Sequence, residues 1–157
     1  MKFSNPLIVV TDLDRSKAFY QEVLGLSVVL DFGANVTLEG GICLQTLESW
    51  QDFIGPREIT FSPNSSELYF VEEEFDGFLQ TLSRFEIRYV HPLKEHRWGQ
   101  RVVRFYDPDG HVIEVGESLA AVCRRFLAQG MTHEEVALRM DVPLSYIHEL
   151  LTQQNES

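Results

Sequence analysis

The chain has 157 residues, 44% of them apolar, and a formal net charge of −11. That length suits one domain with a small appendage, and that apolar share is enough for a core rather than long disorder. The acidic balance disfavours nucleic acid and anionic membrane and favours neutral or cationic partners.

The two cysteines, Cys43 and Cys123, stand far apart and form no CxxC, so a structural zinc site is not indicated. They read as free thiols of a reducing compartment. The first apolar run, Leu7 to Val10, is too short for a secretion signal or a membrane span. A cytoplasmic location without membrane association is therefore the expectation.

In chain order, the β-branched run Leu7 to Val10 predicts a strand. In TDLDRSKAFYQEVLG, Asp12 or Asp14 can cap a helix that Gly25 ends, with Leu13, Ala18, Phe19 and Leu24 near helical spacing. Three strands follow in SVVLDFG, NVTLEG and ICLQTLE, split by glycine-containing turns. Ser49 to Ser66 reads as loop, with two prolines and NSS. The order then restarts: strand ELYFV, helix EFDGFLQTLSRF with Phe75, Phe78, Leu79 and Leu82 on one face, and strands IRYVHP, RVVRFY and HVIEV.

Each half is thus β-α-β-β-β, an internal repeat. A shift of 62 residues lays Asp12-Leu13-Asp14 on Glu74-Phe75-Asp76 and Asn5 on Glu67, while the closing strands pair Gln45 with Glu114. The fold class expected is α+β: two βαβββ modules forming a curved mixed sheet around a cleft, plus a short helical C-terminal tail. Strand alternation then puts Glu114 and Val112 on the cleft side and Ile113 and Val115 toward the helices.

The opening VTDLDRSKAFYQEVLG and the closing FYDPDGHVIEV, in this order, resemble the glyoxalase/bleomycin-resistance/extradiol-dioxygenase superfamily, the vicinal oxygen chelate proteins, over roughly residues 3 to 118. The resemblance is specific for the fold and not for a reaction. It implies a homodimer in many relatives, and in the enzymes a divalent metal held by two His with Glu or Gln. Carried over residue by residue, the ligand positions are Asn5, Gln45, Glu67 (Ser66 if the register slips by one) and Glu114. Both expected histidines are replaced. None of His91, His96, His111, His133 or His148 falls on a ligand position. The remaining set is all oxygen, which suits Mg²⁺, Mn²⁺ or Ca²⁺ better than Zn²⁺; Ni²⁺ is also to be considered. The competing reading is an ion pair, in which Arg104 neutralises Glu114 and takes the place of the metal, because an unpaired buried carboxylate is costly.

HPLKEHRWGQRVVRFY is a basic and aromatic stretch in an acidic chain. It reads either as a ligand gate, with Trp98 stacking on a planar group, Arg101 holding an anion and Tyr106 sharing the face of Arg104, or as a solvated loop offsetting Glu72, Glu73 and Glu74. Cys43 has the parity of Gln45, so it either lines the cleft or is an inert buried thiol. GxSxG, P-loop and dinucleotide signatures are absent.

Residues 119–157 extend past the 1–118 domain. Thr132-His-Glu-Glu135 is a capping box. Val136, Leu138 and Met140, then Leu144, Ile147 and Leu151, supply apolar faces of about three short helices divided at Gly130 and Pro143. The text resembles the helix-turn-helix of sigma-factor and response-regulator tails, which would imply a ligand-responsive transcriptional regulator. The segment is itself acidic, and it offers few cations to phosphates.

Three functions remain in view. The first is a protein that binds a small-molecule ligand in the cleft without His metal ligands, as the bleomycin-resistance branch does. The second is a metal-dependent lyase, isomerase or thiol transferase in which Glu114 or Glu67 moves a proton next to a metal-polarised carbonyl. The third is the DNA-binding regulator.

Overall fold

The computed structural model describes residues 1–62 and 64–152. The chain falls into two compact units, one of Met1–Ser66 with Tyr106–His111 and one of Glu67–Phe105 with the chain from Val112 onward.

In the first unit, β1 (Leu7–Val10) leads into α1 (Leu13–Leu24), then β2 (Val28–Asp31), β3 (Asn35–Leu38) and β4 (Cys43–Thr46). The sheet order is β1-β4-β3-β2, with β1 parallel to β4 and the rest antiparallel. Asp12 caps α1 by accepting from the Arg15 amide at 3.0 Å. Gly25 ends it in the left-handed region at φ 71°, its N–H returning to Gln21 and Tyr20. The buried face of α1 is Ser16, Tyr20 and Val23, with Ala18 exposed. The spacing in sequence had favoured Leu13, Ala18, Phe19 and Leu24. The helix is rotated because Tyr20 has a polar partner inside, described below.

Residues 47–54 are helical where the end of a strand (Leu47, Glu48) and the start of a loop (from Ser49) were expected. Helix α2 (Leu47–Ile54) begins after Thr46 and ends at Gly55, whose φ is 73°. Its half-buried residues Leu47, Trp50 and Ile54 lie at helical spacing. Ser49 hydrogen-bonds the Thr46 carbonyl at 3.0 Å and packs its hydroxyl 2.7 Å from that of Thr46, which tightens the first turn. The loop signals lie beyond Gly55; Pro63 is outside the described residues.

In the second unit, β5 (Glu67–Glu72), α3 (Phe75–Leu82), β6 (Tyr89–Glu95), β7 (Arg101–Tyr106) and β8 (Val112–Glu117) repeat the order, with β5-β8-β7-β6 in the sheet and β5 parallel to β8. Phe75, Leu82, Val102, Val103, Phe105, Ile113 and Val115 form its core. The repeat is displaced at its closing strand. Gln45 lies opposite Val9, which the 62-residue shift places on Val71, yet Glu114 lies opposite Tyr69, two residues earlier. A two-residue slide keeps each side chain on its own face.

The tail belongs to the second unit. Helices α4 (Leu119–Ala128), α5 (His133–Met140) and α6 (Leu144–Thr152) close around Val122, Cys123, Phe126, Val136, Met140 and Ile147. The Thr132–Glu135 capping box forms in both directions. Leu138, placed on an apolar face by the sequence pattern, instead points outward and is 85% exposed; Ala137 takes the inner position. Among the described residues, no helix is long and apolar enough to cross a membrane.

Candidate functional site

Two polar clusters organise the units. The first joins the two sequence motifs. Asp107, fully buried, accepts from the Tyr20 hydroxyl at 3.0 Å, from the His111 and Asp109 amides at 2.8 and 3.0 Å, and meets His111 Nδ1 at 2.8 Å. Asp109 accepts from Thr11 and Arg15. Burial, and then the Asp107 charge, push the Tyr20 phenol well above its ordinary range. Every group here has an internal partner, so the cluster is a scaffold that fixes the DPDG turn against α1.

The second cluster lies on the sheet of the second unit. Arg104 on β7 donates through Nε to Glu67 at 2.9 Å, places Nη2 against Glu114, and sets Nη1 3.1 Å from His91 Nε2. His91 Nδ1 lies 2.8 Å from the Pro92 carbonyl. A carbonyl only accepts and a guanidinium only donates, so the imidazole holds its proton on Nδ1. The Glu114 side chain is 7% exposed and that of Arg104 25%. Local geometry explains the meeting. Val112 and Glu114 take Glu67 and Tyr69 as parallel neighbours, and Arg104 pairs with His91 across β6; alternation leaves these side chains on one face.

The residues expected to line a site are distributed as follows. Glu67, Glu114 and Arg104 come together. Asn5 and Gln45 belong to the first unit. The Asn5 amide donates to the Gly41 carbonyl at 2.7 Å while its Oδ1 accepts from Ser4. Gln45 Oε1 accepts from Asn35 at 2.7 Å and its Nε2 donates to Ser49. Cys43 is half-buried with Sγ 3.5 Å from the Thr37 hydroxyl. Tyr106 is half-buried in the first unit. Trp98 stacks on His96, with ring centroids 4.3 Å apart, and donates to Gln100. One face of the indole is therefore already covered. Arg101 does not offer a fork to an anion: Glu117 takes its Nε and Nη2 at 3.1 and 2.9 Å, and Asp76 takes Nη1 at 2.8 Å.

Glu117 was not singled out by sequence. It is buried and shared by Arg101 and Arg125, the latter at 3.1 and 2.9 Å. Burial raises its pKa, but Arg125 and Arg101 outweigh this and hold the carboxyl below its ordinary range. Tyr69, His91 and Gln100 were missed as well. The alternation of Glu67, Tyr69 and Val71 along β5 was the available signal for the first.

The donors fit a divalent metal poorly. Both carboxylates of the family ligand set are ion-paired with one guanidinium, and both amides are spent within their own unit. A dication at these oxygens would have to displace Arg104 or sit against its charge. Among the described residues, no group of three or more His, Cys, Asp or Glu converges as a metal site.

Two βαβββ modules, each with a four-stranded mixed sheet in which the first strand runs parallel to the last, are the architecture of glyoxalase-like α+β proteins. The Glyoxalase-like domain family matches residues 3–120, and this chain belongs to it. Over 131 residues it is 30% identical to a glutathione transferase FosA of Serratia marcescens, covering 79% of this chain and 89% of that protein. Among solved structures it is similar to a protein of unknown function from Agrobacterium tumefaciens (41% identity, TM-score 0.68, 76% of this chain and 95% of that one). It is also similar to a lactoylglutathione lyase from Agrobacterium tumefaciens (25% identity, TM-score 0.57, 74% and 93%).

Proposed function

We propose that the chain is a glyoxalase-like protein that binds a small molecule on the open face of its second sheet, with the Arg104 cluster serving as the polar anchor in place of a metal. The observation that carries this reading is that one guanidinium engages both Glu67 and Glu114. Arg104 has five N–H donors and its named partners use three. The others can meet a ligand acceptor, while the carboxylates can accept from a ligand donor. The acidic net charge favours a neutral or cationic ligand.

Elemental analysis tests this. Protein purified without chelator and dialysed against Mn²⁺, Mg²⁺, Ni²⁺ or Zn²⁺ is expected to retain far less than one metal per chain. A stoichiometric metal that disappears in Glu114→Gln would overturn the anchor and move the reading to a metal-dependent enzyme.

That second reading is favoured by the likeness to a glutathione transferase and a lactoylglutathione lyase. It predicts glutathione consumption with an electrophile, or turnover of a 2-oxoaldehyde–thiol adduct, only in metal-loaded protein.

The regulator reading has little support. The three tail cations are engaged within the chain: Arg124 with Glu73, Arg125 with Glu117, and Arg139 with Glu95. They would have to abandon these carboxylates to neutralise phosphates. A homodimer in the cytoplasm is the setting we propose, and sedimentation of the purified chain checks the dimer.

A further inference from the structure

We infer that the C-terminal helices complete a second, mainly apolar pocket against β5, built for a flat aromatic molecule. The inference rests on the reading that the chain binds small molecules and names a ligand class for it.

A groove of about 330 Å³ lies between β5 and helices α4 and α6. That volume is at the small end of ligand pockets and suits one or two fused rings. Its walls are Tyr69 and Val71 from β5, Leu119 from α4, and Tyr146 and Leu150 from α6. Tyr69 and Val71 are 51% and 60% exposed, although both are large and apolar-bodied. Tyr146 and Leu150 are four residues apart and share a flank of α6. Ile147 between them is fully buried in the tail core, which fixes the rotation of the helix.

The Tyr69 ring is held in place. It lies over Gly116, where an added Cβ would come within 3.0 Å of the hydroxyl and 3.1 Å of the ring. Its oxygen accepts from Gln100 Nε2 at 3.1 Å. An amide nitrogen only donates, so the Tyr69 proton is left to give to a ligand acceptor. Gln100 is otherwise spent on the Glu117 carbonyl and on Trp98. Glu73 at the rim is held by Arg124 at 2.7 Å. The groove therefore presents two phenol rings, the aliphatic side chains of Val71, Leu119, Ala120 and Leu150, and the Tyr69 hydroxyl as a donor, with Ser118 engaged in capping α4 and the Glu73 charge internally paired. A neutral planar ring carrying one hydrogen-bond acceptor matches it. A sulfonate or carboxylate does not, since no cation there is uncommitted among the named contacts.

Tail residues Tyr146 and Leu150 lie beyond the stretch matched by the family, residues 3–120. The tail thus acts as a specificity element added to a common sheet.

The test is a titration of the full chain near neutral pH with quinoline, which is uncharged there and carries one ring acceptor. Naphthalenesulfonate serves as the anionic counterpart. Binding is read by calorimetry and by Tyr ring shifts in NMR. Saturable quinoline binding is expected, with naphthalenesulfonate weaker. Tyr146→Ala and the surface change Val71→Asp should each weaken quinoline about tenfold, with thermal melts confirming that both variants fold. Retention of binding in Arg104→Met, with loss in the groove variants, supports the pocket. Loss in Arg104→Met with retention in Tyr146→Ala and Val71→Asp overturns the pocket and leaves the polar anchor standing. Absence of saturable quinoline binding by the unaltered chain overturns the pocket as well.

Discussion

The Tyr20 hydroxyl donates a 3.0 Å hydrogen bond to Asp107, 87 residues further along the chain. One residue comes from the opening motif and the other from the closing one. The bond explains why α1 turns Tyr20 inward: a buried carboxylate needs donors, and the phenol, His111 and two turn amides supply them.

Tyr20→Phe keeps the ring and removes one donor. Asp107 retains its other partners, so the expected loss is about 1–2 kcal/mol in urea denaturation. Asp107→Asn should cost more, because it also weakens the turn and the His111 contact. An unchanged midpoint in Tyr20→Phe would reduce Asp107 to a purely local turn residue.

Arg104→Met leaves Glu114 buried beside Glu67 with no cation. Removing one partner of a buried pair costs several kcal/mol; with Arg104 a quarter exposed, about 2–3 kcal/mol is expected. Adding Glu114→Gln should restore much of it, since the stranded charge is then gone. Equal destabilisation in the single and double variants would show that the guanidinium packs there without pairing.

Glu117 makes stability depend on acidity. Its folded carboxyl titrates below its ordinary range, while the unfolded one titrates at about 4.3. The folded form therefore holds its proton less tightly, and its contribution is complete above the unfolded value. It drains away as the pH falls through the depressed folded value. Glu117→Gln should be less stable at neutral pH by about 3 kcal/mol, because Arg101 and Arg125 lose their shared buried carboxylate and keep only their outer carboxylate partners Asp76 and Glu95. Its stability should also fall less steeply on acidification. Denaturation midpoints across the acid range decide this, and parallel curves would remove Glu117 as a source of the slope.

Gly99 sits at φ 89°, where an added Cβ would run into the Phe126 ring. Phe126 is itself capped by Arg125 and Arg139 at 4.9 and 5.4 Å. Gly99→Ala is expected to cost about 2 kcal/mol and to loosen the tail. Hydrogen exchange should quicken in α4 and α5 before it quickens in β8. Uniform acceleration would mean that the tail and the sheet open together.

Much of the fold was legible in the sequence. The eight strands of the described residues were all anticipated, because alternation and glycine turns are local signals. The helix around Tyr20 was legible in extent but not in rotation, since the inward face depends on Asp107 far down the chain. Helix α2 was hidden because its half-buried apolar residues sit directly before a proline-containing loop. Glu114 stood out in the chain as a lone acid between apolar neighbours, and Arg104 was legible by parity. That Glu67 and His91 meet the same guanidinium was not, because it depends on how β5 is registered against β8 and β6 against β7. The dual hold on Glu117, and the groove that α6 makes with β5, also came only from the tertiary structure. Composition and periodicity determine which residues share a face. Only packing decides which partner a buried charge finds, because that choice is made by distance in space and not along the chain.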